Sequence, residues 1–265
     1  MLLVLDGMNV DALTKMIKMS FSWENWSAIL EISEKLFELT AIIYDSSQHH
    51  LGKVPLKRSM AYYFGYSLCM KGIAFQKLGR LSEARVCVSQ YSDLSWIKDL
   101  DDDGIREVEF YRTISKANNY VLDLLEGKNE VLREYIDFIR NSDKEELLAG
   151  LITVLESAIK HHYCIDWVLD EFKDEVEKLN FNDKRENVRY YVDYMYLHVI
   201  YRYNKGSVPE AINLVLHMLD ISSDLDDEAG FRKSVSFFES LKEQASTSQK
   251  AKYQAVMKNM YGIAD

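Results

Sequence analysis

The chain has 265 residues, 48% hydrophobic and 28% charged, with 42 acidic against 32 basic side chains and a formal net charge of -10. This is a globular composition, and its acidic balance argues against direct binding of DNA or RNA, which requires a basic surface to displace counterions. Two prolines and 11 glycines are too few for a large β protein with many tight turns, so long helices with short connections are expected.

Apolar residues recur at helical spacing along nearly the whole chain, and strict alternation never persists long enough to argue for a sheet. Six helix pairs are predicted, at residues 9–44, 56–93, 102–141, 143–180, 184–221 and 227–261. The first pair is rich in aromatic residues, including Phe21, Trp23, Trp26 and Phe37. The polar connection from Asp45 to Lys57 carries Pro55 and separates residues 1–55, a hairpin and linker, from a repeat region over 56–265 that reads as one continuous solenoid.

The second pair carries the clearest internal signal: Leu68, Lys71-Gly72, Phe75, Gly79, Ala84 and Val88. A tetratricopeptide unit places a large residue, a glycine, an aromatic, a turn glycine, a small residue and a bulky one at these offsets. Small residues at Gly72 and Ala84 let two helices cross closely. Lys71 departs from the pattern, so the repeat is degenerate. Weaker copies read Gly127, Leu132, Ile136 and Gly206, Ala211, Val215, the latter after Tyr194-Met195-Tyr196-Leu197. The spacing between them exceeds the ideal of about 34 residues, which points to irregular, long-helixed repeats. The expected fold is therefore all-α, a right-handed α-solenoid of about six helix hairpins, with a compact helical bundle as the alternative.

Local stops fit this division. Gly127 suits a left-handed helix end, Ser207 is placed to cap a helix that tolerates Pro209 in its first turn, and acidic loops at 99–103 and 224–228 precede helices.

The stretches "MKGIAFQKLGRLSEA", "VLREYIDFI" and "ELLAGLITVLESAIKHH", within residues 58–175, resemble the helical-repeat region of bacillus-type regulators with an N-terminal Cro/repressor helix-turn-helix. That group is related to the peptide-pheromone-responsive regulators of Gram-positive bacteria. The resemblance implies a cytoplasmic peptide-sensing domain of a transcription regulator, working as a homodimer. The family's DNA-binding domain would precede the repeats. Residues 11–37 have aromatic core character instead of a basic recognition helix, so a sensor segment lacking the DNA reader is expected. The other functional reading is a scaffold or inhibitory repeat protein that holds a larger protein partner. Either the first hairpin or the last, with Phe237, Phe238, Tyr253 and Tyr261, could supply a dimer surface.

Ligands of such a solenoid lie along the first helices of its hairpins. Asn118 and Asn119 are two modest helix formers in mid-helix, and an amide can bridge the N–H and C=O of an extended peptide. Their alternative role is a solvated face or a helix-to-helix hydrogen bond. Arg112, Lys116, Arg189, Tyr196 and Arg202 are candidates for a peptide's carboxylates, and Tyr62, Tyr66 and Tyr191 for its apolar subpockets.

Other chemistry finds no pattern. The loop Asp99-Leu100-Asp101-Asp102-Asp103-Gly104 begins like a calcium loop, but Arg106 and Phe110 stand where an apolar residue and a bidentate glutamate belong. His49-His50 and His161-His162 are neighbours, about 100° apart on a helix, and do not form a zinc clamp. No phosphate loop, nucleophile elbow or catalytic carboxylate pair is present, so neither an enzyme nor a cofactor is expected. Cys69, Cys87 and Cys164 are far apart and flanked by apolar residues, which reads as reduced core thiols. Met1 to Leu5 is too short for a secretion signal, and no apolar run approaches the ~18 residues that span a membrane.

Overall fold

The computed structural model describes residues 7–49, 55–142, 144–178, 185–225 and 227–260. Met1 to Leu5, His50 and Tyr261 lie outside them. Among the described residues the secondary structure is helical and contains no strand. No helix there is long and apolar enough to cross a membrane. The chain divides into two compact units, residues 1–126 and 127–265.

The first unit holds α1 (Val10–Ser22), α2 (Trp26–Gln48), α3 (Met60–Lys77), α4 (Leu81–Tyr91) and α5 (Asp102–Leu125). Each of α1, α2, α3 and α5 begins on a side-chain cap, from Asn9, Asn25, Ser59 and Asp101 respectively. The Asp101 carboxylate accepts from the Gly104 N–H at 2.8 Å, so the acidic loop before α5 acts as a helix start. Gly79 ends α3 in the left-handed region at φ +74, where a side chain is strained, and the chain doubles back into α4.

The predicted crossing of α3 and α4 is present. A Cβ on Gly72 would lie 3.2 Å from the Cβ of Cys87 and 3.6 Å from the Ala84 carbonyl oxygen. Ala84 is buried, and Phe64, Leu68, Val88, Tyr91 and Tyr111 close around it. Each large apolar side chain buried here contributes roughly 1.5–3 kcal/mol. The first hairpin belongs to this unit: Tyr63 donates its hydroxyl to Asp11 at 2.6 Å, and Phe37 meets the Phe64 ring at 5.3 Å.

The second unit holds a 3₁₀ turn (Asn129–Val131), α6 (Leu132–Arg140), α7 (Lys144–His161), two short helices α8 (Asp166–Glu171) and α9 (Lys173–Glu177), α10 (Arg185–Asn204), α11 (Val208–Asp224), α12 (Glu228–Leu241) and α13 (Thr247–Met260). The third predicted pair is thus divided, with α5 packed on α3 and α4 in one unit and α6 packed on α7 in the other. The fourth pair differs too. Its second helix is broken at Phe172, which is buried together with Val168 and Val176 while Trp167 stays exposed.

Between α10 and α11 the chain turns on Gly206, at φ +79. Pro209 sits in the first turn of α11 as expected, but the Ser207 side chain makes no capping bond. The tight turn folds α11 antiparallel to α10, and near its far end Tyr191 Oη lies 3.2 Å from His217 Nε2. Ala211 and Val215 of the weaker repeat copy are buried in a shared core with Val199, Phe231 and Phe238. The Asp227 cap then starts α12, accepting from the Gly230 N–H at 3.1 Å.

Candidate functional site

The polar residues predicted on α5 divide by helix phase. Asn118 turns inward, and its Nδ2 donates to the buried hydroxyl of Tyr91 on α4 at 2.7 Å. Its donor is therefore used in a helix-to-helix hydrogen bond, and is not offered to a ligand. Asn119 is half-buried and has no hydrogen-bond partner among the described residues. Arg112 pairs with Glu109 on its own helix, and Lys116 is exposed one turn on. Arg112, Lys116 and Asn119 share one face of α5 by spacing.

Tyr62 and Tyr66 stack on each other on α3, with centroids 5.5 Å apart and planes 7° apart. The Arg58 guanidinium also lies over the Tyr62 ring, at 4.3 Å, so both rings already have partners for their faces. Burial pushes both phenols above their usual range.

In the second unit Arg202 is committed to a polar network. It donates to Asp166 Oδ1 at 3.1 Å and to His198 Nε2 at 3.2 Å, and its side chain is only 19% exposed. Asp166 also receives Tyr201 Oη at 3.1 Å and the Lys205 ammonium. The Lys205 contact is the main reason its carboxyl titrates below the ordinary range. Burial, aided by the Arg202 charge, drives His198 down to about 4, so its Nε2 is an acceptor near neutral pH. Cys164 lies at the edge of this network and is exposed, contrary to the expected core position. Its Sγ is 3.5 Å from Lys205 Nζ. Cys69 and Cys87 are buried as expected, and burial pushes the Cys69 thiol to about 12. Tyr191 packs in the core beside His217. The side chain of Arg189 lies outside the described residues.

Tyr196, among the predicted residues, lines a cleft. With Ala229, Arg232, Lys233, Ser236, Phe237 and Ser240 it borders a shallow, open cleft of about 530 Å³ between α10 and α12. That volume lies within the roughly 300–1,000 Å³ range of ligand pockets. The cleft exists because α11 returns the chain and α12 then runs in the same direction as α10. Asp193 accepts from Lys233 at 3.2 Å, while Tyr196 and Tyr203 both meet the Phe237 ring edge-on, at 6.4 and 6.0 Å. Lys233 Nζ also stands 5.1 Å over the Tyr196 ring.

Three polar groups on this cleft have no partner among the described residues: the Arg232 guanidinium, the Tyr196 hydroxyl and the Ser236 hydroxyl. The floor is aromatic and half-buried; the rim is basic and hydroxylic. Such a site can hold an apolar group and hydrogen-bond an anion beside it. The α12 members were missed in the sequence, although positions 229, 232, 233, 236, 237 and 240 form one helical stripe. Among the described residues no group of three or more His, Cys, Asp or Glu side chains is placed to hold a metal.

Comparison with protein-family models, curated proteins and solved structures finds no match to this chain.

Proposed function

We propose that this chain is a peptide-binding helical-repeat module, and that the cleft between α10 and α12 is where a short linear peptide docks. The observation that carries this reading is the unpaired polar set of Arg232, Tyr196 and Ser236 around the Phe237 floor. In a right-handed solenoid the first helices of successive hairpins line the inner wall, and α10 and α12 stand in that relation to α11 and α13. The resemblance of residues 58–175 to the repeat region of bacillus-type regulators, a group related to the peptide-pheromone-responsive ones, supports assigning the module to a cytoplasmic, dimeric transcription regulator. In that role it senses peptide and leaves DNA reading to another domain, in keeping with its net charge of -10.

A second reading, a scaffold for a larger protein, is favoured by the apolar end of α1, where Trp23 is 71% exposed beside an exposed Met19.

Affinity selection of a random hexapeptide pool on the full chain, read by mass spectrometry, tests the first reading. Enriched peptides are expected with the parent protein and lost with Phe237→Ala, while the melting temperature shows that the variant is folded. No enrichment, or enrichment indifferent to Phe237, would favour the scaffold.

A further inference from the structure

We infer that the α10–α12 cleft selects an acidic peptide, with a carboxylate side chain placed two residues from a large apolar one. This rests on the peptide-binding reading above and specifies its ligand. The lining stripe on α12 runs from Ala229 to Ser240, about 16 Å at the helical rise, which matches about five residues of extended chain.

Charge sets the first requirement. Lys233 is already paired with Asp193, at 3.2 Å, whereas Arg232 is exposed and has no acidic partner among the described residues. The cleft therefore offers one uncompensated cation in a protein of net charge -10. The hydroxyls of Tyr196 and Ser236 can donate to the same anion, which a guanidinium grips through two parallel N–H groups. The aromatic floor sets the second requirement. Phe237, flanked edge-on by Tyr196 and Tyr203, offers a half-buried surface that an aliphatic or aromatic side chain would cover.

Spacing joins the two requirements. Phe237 lies five residues along α12 from Arg232 and four from Lys233, about 7.5 and 6 Å at the helical rise. In an extended peptide, side chains on one face recur every second residue, about 6–7 Å apart. An acid at one position and an apolar residue two further on fit both features at once; adjacent residues point to opposite faces and do not. The carboxylate belongs to a side chain and not to the chain terminus, because the lining continues past Arg232 to Ala229. A residue that small leaves the peptide free to run on beyond the cation.

The test uses the hexapeptide pool in C-terminally amidated form, so that side chains are its only carboxylates. Selection on the full chain is expected to enrich peptides with Asp or Glu two positions from Phe, Tyr, Leu or Met. The best of these, resynthesised with its acid changed to the amide, should bind about fivefold more weakly by fluorescence anisotropy, the upper end for a solvent-exposed ion pair. With Arg232→Met the two peptides should bind within twofold of each other, while Phe237→Ala should weaken both alike. Enriched peptides without the acid preference, or a penalty unchanged in Arg232→Met, would overturn this inference and leave peptide binding standing. Enrichment confined to a free-acid pool would assign the carboxylate to the chain end and also overturn it. If Phe237→Ala leaves selection unaltered in both pools, the peptide-binding reading itself fails.

Discussion

The side-chain amide of Asn118 and the phenol of Tyr91 are joined at 2.7 Å across the packing of α5 against α4. Tyr91 is almost wholly buried, and burial pushes its hydroxyl far above the ordinary range, so it stays neutral. Removing the amide leaves the buried phenol oxygen without this donor. Asn118→Ala should therefore destabilise the chain by about 1–3 kcal/mol. Asn119→Ala, which removes no such bond, should change stability by less than about 0.5 kcal/mol. Urea denaturation of the two variants checks this, and equal midpoints would contradict it.

Two glycines on α3 give opposite expectations. A Cβ at Gly65 would sit 2.2 Å from ring atoms of the buried Tyr111, so Gly65→Ala must displace that ring, at about 1–3 kcal/mol or more. At Gly72 the tightest contact would be 3.2 Å, to the Cβ of Cys87, and the gain in helix propensity of about 1 kcal/mol offsets much of the crowding. Thermal melts should show a clear loss for Gly65→Ala and little change for Gly72→Ala.

What could be read in the sequence was the local physics. Turn glycines such as Gly79 and Gly206, the acidic starts of α5 and α12, and the small pair Gly72 and Ala84 all act within a few residues or one hairpin, and the all-α class follows from apolar periodicity that is just as local. The site depends on relations that periodicity does not carry. The partner of Asn118 lies 27 residues away. Tyr196 and Phe237 become neighbours only once α11 has brought α12 alongside α10. Flanking apolar residues likewise misplaced Cys164, because α7 ends at the left-handed His162 (φ +58) and Cys164 falls in the short irregular stretch before α8, where helical periodicity does not apply.

That placement has a chemical consequence. Under native conditions a small thiol-specific reagent should label Cys164, which is exposed, and spare Cys69 and Cys87, which are buried. Peptide mapping of the labelled protein checks it. Labelling of all three without denaturant would mean that the core around Tyr91 opens readily.

His198 sets a pH dependence. Its folded pKa of about 4 lies below the ordinary value of 6.5, so the unfolded chain binds the proton first as pH falls. The neutral ring's contribution is fully present above about pH 6.5 and is lost progressively down to about 4, at up to ~1.4 kcal/mol per pH unit. The depressed Asp166 carboxyl acts in the same direction, but at pH below its ordinary 3.8. Urea midpoints at pH 7.5 and 5.0 should differ more in the parent than in His198→Gln, which keeps an acceptor for Arg202.

Photo-crosslinking locates the ligand on the protein surface. A selected peptide carrying a benzophenone side chain at its apolar position, irradiated with the full chain and mapped by mass spectrometry, should attach to the segments of α10 and α12 that contain Tyr196 and Phe237. Attachment instead to α5, near Arg112, Lys116 or Asn119, would contradict the assignment and move the binding site to the other face that the sequence singles out.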